Sequence, residues 1–125
     1  MDILIIYGYY KIKDGGVDMD KRIQDELRAL TDIIVGTVPV ENIFLFGSYA
    51  DGTPHDESDL DIYVVMSDDT NFREIDAIRL IRKAIRDKKT MPVDIVVSKK
   101  SKFAQRKIHP TIEQKILHEG MMLYG

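Results

Sequence analysis

The chain has no cysteine. That absence excludes a disulfide scaffold, a thiolate zinc site and a cysteine nucleophile, and it leaves the compartment open. Long apolar runs are also missing. Met1 to Tyr10 is largely apolar, but it carries Asp2, lacks a basic leader and a small-residue cleavage site, and is too short to span a bilayer. Neither a signal peptide nor a membrane anchor is expected, so a cytoplasmic location follows by default. No internal repeat, low-complexity stretch or linker interrupts the 125 residues, a length that suits one compact domain. Its 44% apolar content is enough for one core.

Charge is present but unevenly placed. Between Arg79 and Lys107 eleven Lys and Arg face only Asp87 and Asp94, a local +9 within a net charge of −3. The rest of the chain sets seven Lys and Arg against nineteen Asp and Glu, or −12. Such a separation points to an anionic ligand near the basic segment, or else to solvated helix faces.

Helical and strand patterns alternate along the chain. Met1 to Lys13 reads as a short strand closed by Asp14-Gly15-Gly16. A helix capped by Asp18 or Asp20 places Ile23, Leu27, Leu30 and Ile34 on one face, and Gly36 and Pro39 end it. Ile43 to Phe46 is a strand buried on both faces, running into Gly47-Ser48. Leu60 to Val65 is a second strand. Residues 71–88 predict a helix with Phe72, Ile75, Ile78, Ile81 and Ile85 inward and Arg79, Arg82, Lys83 and Arg86 outward. Val93 to Val97 is a third strand, followed by a basic helix from Lys99 to Lys107. Pro110 suits the first turn of a last helix with an Ile112, Ile116, Leu117 stripe; Gly120 stops it before a terminal strand, Met121 to Tyr124. The fold class is α/β (α+β), a small mixed β-sheet with helices packed on it.

Three carboxylates break the apolar pattern. Asp59 and Asp61 stand two apart at a strand start and therefore point to one side. Asp94 interrupts the apolar strand Val93 to Val97. An ionised carboxylate buried without a partner costs several kcal/mol. Three converging carboxylates repel one another unless a cation lies between them, and hard oxygen ligands suit Mg²⁺. Upstream, Gly47 lets backbone approach an anion, Ser48 offers a hydroxyl, and a helix start offers N–H groups. Taken singly, the aspartates would read as loop caps or a salt-bridge partner, and Gly47-Ser48 as a helix cap. Together they are what phosphoryl or nucleotidyl transfer requires.

Gly47-Ser48, ten residues, then Asp59-Leu60-Asp61 resembles the Gly-Ser-x10-Asp-x-Asp signature of the DNA polymerase β-like nucleotidyltransferase superfamily. The string GSYADGTPHDESDLDIYVV, including Ser58, is similar to its minimal members, the MNT proteins. Asp94 in PVDIVV matches their third carboxylate, and ILHEGMMLYG looks like their C-terminus. The resemblance covers residues 18–125 as a minimal nucleotidyltransferase domain and leaves 1–17 as an N-terminal extension or edge strand. It implies that Gly47 and Ser48 bind the phosphates of ATP and that Asp59 and Asp61 hold one or two Mg²⁺. Asp94 would help hold the second and act as base. Minimal members resemble the antitoxin halves of HEPN–MNT pairs, so the implied reaction moves AMP from ATP to a tyrosine of a HEPN toxin. The alternatives are an antitoxin that masks its partner without catalysis, and nucleotidyl transfer to RNA through the basic segment 79–107.

Other candidates carry less. His55 stands in the loop between the motif halves, as a phosphate contact or a solvated residue. His109 and His118 are too far apart for a compact metal site. Lys99 and Lys100 follow the Asp94 strand and are candidates for triphosphate or nucleic-acid contact. Tyr49 is read as packed rather than base-stacking, and Tyr124 as sheet packing.

Overall fold

In this computed structural model residues 20–125 are described. The strand expected within Met1 to Lys13, the 1–17 extension and the Asp18 cap lie outside them. Helix α1 spans Lys21–Thr37, with Asp20 as its cap, its carboxylate accepting the Arg22 N–H at 2.7 Å. Strand β1 (Val40–Phe46) leads into the short helix α2 (Ser48–Asp51), and β2 is Leu60–Met66. Helix α3 (Glu74–Ile85), β3 (Val93–Lys99), α4 (Lys100–Arg106), α5 (Ile112–Glu119) and β4 (Met121–Tyr124) complete the order. The four strands form one mixed sheet in the order β3-β2-β1-β4. β1 is antiparallel to both β2 and β4, whereas β2 and β3 are parallel and joined by α3, the crossover that a parallel pair requires. Tyr124 opposite Ile43 serves the sheet, as expected.

Strand alternation divides the side chains between two faces. Leu60, Ile62, Val64 and Met66 of β2 pack with Leu27, Leu30 and Ile34 of α1 and Ala77, Ile81 and Ile85 of α3. Burying each such Leu or Ile fully contributes about 1.5–3 kcal/mol, so this face carries most of the stability. Tyr63 and Val65 point the other way and join Phe44, Phe103 of α4 and Ile116 of α5. Phe103 stacks on Phe44 with centroids 5.8 Å apart and meets Tyr63 edge-on at 5.5 Å.

Two helices differ from their sequence patterns. In α3 Ile75 is 46% exposed, because it stands about 100° from the stripe that Ile81 and Ile85 define at 3.6 residues per turn. Glu74 occupies the inward position instead, and its carboxylate accepts the N–H of Lys99, the cap of α4, at 2.9 Å. In α5 only Ile116 of the expected stripe is buried, while Ile112 and Leu117 are 42% and 45% exposed. Pro110 precedes the helix rather than entering its first turn; Thr111 is the cap and accepts from the Gln114 N–H at 3.2 Å.

The reason lies in Glu113, which is buried. Tyr63 donates its hydroxyl to Glu113 Oε2 at 2.7 Å and lies 2.8 Å from Ser98 Oγ, while Arg106 Nε donates to Glu113 Oε1 at 2.9 Å. A buried carboxylate must be paired, and meeting these partners turns α5 so that Glu113 faces the sheet. Burial alone would raise the Glu113 pKa, but hydrogen bonds from Tyr63, from backbone and from Arg106 outweigh it and lower the pKa. Burial pushes the Tyr63 phenol well above its ordinary range.

Tyr63→Phe removes the hydroxyl partner of a buried carboxylate and should lower stability by about 1–3 kcal/mol in urea unfolding. Because the folded pKa of Glu113 is depressed, its contribution is complete above the ordinary value of 4.5 and is lost as pH falls through the folded value. In Glu113→Gln that part of the acid destabilisation should vanish from a stability–pH profile.

Candidate active site

The sheet places an aromatic residue and two carboxylates in one row. Phe46 ends β1 opposite Asp61, and Asp61 lies beside Asp94 in the parallel pair β2–β3. Adjacent strands are about 4.8 Å apart, so the row is about two strand spacings wide. Alternation sets Asp61 on the face of Tyr63 and Val65, and Asp94 on that of Val96, the face that α4 and α5 cover lower down. Asp59 precedes β2 and is close enough to act on Asp61 electrostatically.

The three carboxylates differ in exposure. Asp59 and Asp61 are half-buried, and Asp94 is exposed. The burial cost argued for Asp94 from its apolar strand therefore falls on Asp61. Burial, then the charge of Asp94, then that of Asp59 raise the Asp61 pKa. A cation beside Asp61 relieves all three causes at once. Among the described residues no three His, Cys, Asp or Glu side chains form a ready-made metal cage. The donors present fit Mg²⁺ held by one or two carboxylates, with phosphate oxygens and water completing its shell.

Gly47 links this row to the turn before α2. It has φ 79° and ψ −157°, a region open essentially only to glycine. An added Cβ would overlap Asp61 Oδ2 and lie 3.2 Å from its Cγ, so the carboxylate fills the space that any side chain would need. Ser48 begins α2, where no side chain caps the first turn.

The ten-residue spacing closes on Ser58. This buried serine sits with its Oγ 2.9 Å from Ser48 Oγ, accepts the His55 N–H at 2.8 Å, and returns its own N–H to the His55 carbonyl at 2.9 Å. The Thr53 N–H donates to the Ser48 carbonyl at 2.9 Å. The loop is thus folded back on Ser48, and Asp59 follows directly. In the sequence Ser58 is marked only by its place directly before the Asp59–Asp61 pair. His55 is exposed, and its Nδ1 accepts the Glu57 N–H at 3.2 Å, so it shapes the loop. Tyr49 packs against the larger core cluster. His109 and His118 are exposed.

Lys99 and Lys100 do not join the site. They stand at the opposite end of β3, five residues or about 16 Å of strand beyond Asp94. There Lys99 Nζ donates to the Thr70 carbonyl at 3.5 Å, and Lys100 pairs with Glu41 at 3.7 Å.

The sequence profile described as "Polymerase beta, Nucleotidyltransferase" matches residues 28–125, and the chain belongs to that family. The resemblance to minimal nucleotidyltransferases and the expected fold class are borne out. A toxin–antitoxin crystal structure with AMP-PNP is similar at 25% identity and TM-score 0.58, over 79% of this chain and 73% of that one. A mutant of the toxin–antitoxin MntA-HpeT, with two aspartates changed to glutamate, shares the fold at 21% identity and TM-score 0.56, over 79% and 72%. A candidate nucleotidyltransferase from Sulfolobus solfataricus shares it at 21% identity and TM-score 0.50, over 70% and 82%. No curated protein matches significantly.

Gly47→Ala should strain the turn by about 1–3 kcal/mol. By displacing the Asp61 carboxylate it should also reduce nucleotidyl transfer by about 100-fold in a single-turnover assay. Ser58→Ala removes the acceptor of the part-buried His55 N–H, at about 0.5–1.5 kcal/mol, and should weaken nucleotide binding roughly tenfold by calorimetry.

Proposed function

We propose that the chain transfers AMP from ATP to a tyrosine hydroxyl of a HEPN-type toxin and so acts as the antitoxin of that pair. The observation that carries this reading is the register of Asp61 beside Asp94, with Gly47 packed on the Asp61 carboxylate. Similarity to a toxin–antitoxin structure with AMP-PNP supports both the nucleotide and the type of partner.

The row suggests an order of roles. Gly47 and Ser48 hold the β- and γ-phosphates through backbone N–H and hydroxyl donors. Asp59 and Asp61, with help from Asp94, would hold one or two Mg²⁺. Bound Mg²⁺ would neutralise phosphate charge and orient the phosphate chain. Asp94, exposed on strand β3, meets the acceptor hydroxyl arriving from solvent and takes its proton. The acceptor oxygen then bonds to the α-phosphorus in line while the bond to the α–β bridging oxygen breaks, and pyrophosphate leaves. Residues 18–125 would form the catalytic domain, with 1–17 as an extension. No described helix is long and apolar enough to cross a membrane, and we place the reaction in the cytoplasm.

Transfer to RNA draws less support from the arrangement of charge. Lys100, Lys102 and Arg106 of the basic segment pair with Glu41, Glu74 and Glu113. Such pairing lowers the positive field that a phosphate backbone would need.

The test is incubation with α-labelled ATP, Mg²⁺ and a HEPN-type partner protein, beside a control in which Asp59 and Asp61 are both changed to Ala. Label should enter the partner and fall more than about 100-fold in the control. Label in RNA would replace the acceptor. Neutralisation of the toxin without label, unchanged in the control, would replace catalysis by masking.

A further inference from the structure

A pocket of about 210 Å³ opens directly beside Gly47. Phe46, Ile112 and Ile116 give it apolar walls, and Lys115, Glu119 and Asp51 bring charges to its lining. We infer that this pocket receives the nucleobase of the nucleotide, an inference that rests on the nucleotidyl-transfer reading above.

Position is the first argument. Gly47 belongs both to the pocket and to the turn proposed for phosphate. Phe46 packs with the Tyr63 cluster and is thus on the same face as Asp61, one strand away. A nucleotide whose phosphates lie at Gly47 and Asp61 has its base within reach of this cavity. The cavity also owes its shape to close backbone packing. Gly120, after α5, passes so near β1 that an added Cβ would stand 3.1 Å from the Leu45 carbonyl oxygen.

Chemistry is the second. A nucleobase has apolar faces and a polar edge. The aromatic and aliphatic walls suit the faces, and the carboxylates with Lys115 offer acceptors and a donor to the edge. Ile112, which the turn of α5 leaves 42% exposed, lines this pocket and offers an apolar face to the base.

An acceptor side chain fits the same cavity less well. The row runs Phe46, Asp61, Asp94, so a hydroxyl held beside Phe46 would be about two strand spacings, near 10 Å, from the proposed base Asp94. The acceptor approaches from the β3 side, and the pocket is left to the nucleoside.

Ile112→Trp tests this, because Ile112 lies outside both core clusters and an indole would fill the cavity. The sequence has no other tryptophan, so a blue-shifted emission would report that the ring has entered the pocket. Binding of ATP and of inorganic tripolyphosphate is measured by calorimetry with Mg²⁺ for wild type, Ile112→Trp and Ile112→Ala. The expected result is at least a tenfold loss of ATP affinity in Ile112→Trp, a smaller loss in Ile112→Ala, and tripolyphosphate binding unchanged within twofold. Equal ATP binding by all three proteins overturns the pocket assignment and leaves nucleotidyl transfer standing. Intact ATP binding with lost transfer to the acceptor also overturns it, since the cavity would then hold the acceptor. Wild-type protein that binds neither ligand overturns both readings.

Discussion

The contact between the Gly47 backbone and the Asp61 carboxylate is the constraint around which the site is built. It seats the turn leaving β1 against the start of β2, across the loop that Ser58 folds back. Antiparallel pairing of Phe46 with Asp61 delivers the two strand ends to one place, and glycine at positive φ lets them touch. A carboxylate held this close to backbone is partly stripped of water, and the charges of Asp94 and Asp59 add to its discomfort. The same crowding that raises its pKa favours a cation and the phosphates a cation brings.

The two faces of the sheet divide the work. One is an apolar layer under α1 and α3 that supplies stability. The other holds aromatic packing and the buried Tyr63–Glu113–Arg106 network, with Asp61 and Asp94 at its edge. Such a network adds little net stability over an apolar core, but it fixes orientation because each polar atom has one arrangement of partners. Here it turns α5, and α5 supplies one wall of the cavity beside Gly47. Stability and the shape of the site thus come from different sides of one sheet.

Charge segregation in the sequence resolves into two regions in space. Lys99, Lys100 and Lys102 lie at the far end of the sheet, where Thr70, Glu41 and Glu74 engage them. They staple the start of α4 to its surroundings and leave the carboxylate row to its own field. A count of charges along the chain therefore overstated how basic the neighbourhood of the site is.

Much of the fold was legible without coordinates. The Leu27, Leu30, Ile34 stripe, the apolar strand before Gly47 and the Gly120 stop all express local periodicity and turn chemistry, which neighbouring residues decide among themselves. The candidate site was legible as a set of residues, Gly-Ser and Asp-x-Asp at a fixed spacing, and the fold brings Gly47, Asp61 and Asp94 together. Long-range packing settled what periodicity could not. Ile75, Ile112 and Leu117 are apolar yet exposed, because Glu74 and Glu113 had partners waiting on other elements. The exposure of Asp94, the distance of Lys99 and the role of Ser58 depend on which strand ends meet and where a loop folds back. Sequence thus determined the elements and the reactive groups, since both rest on local covalent and hydrogen-bonding preferences. Tertiary structure alone decided their burial, their pairing and the cavity, since those are properties of residues distant in the chain brought within a few ångströms.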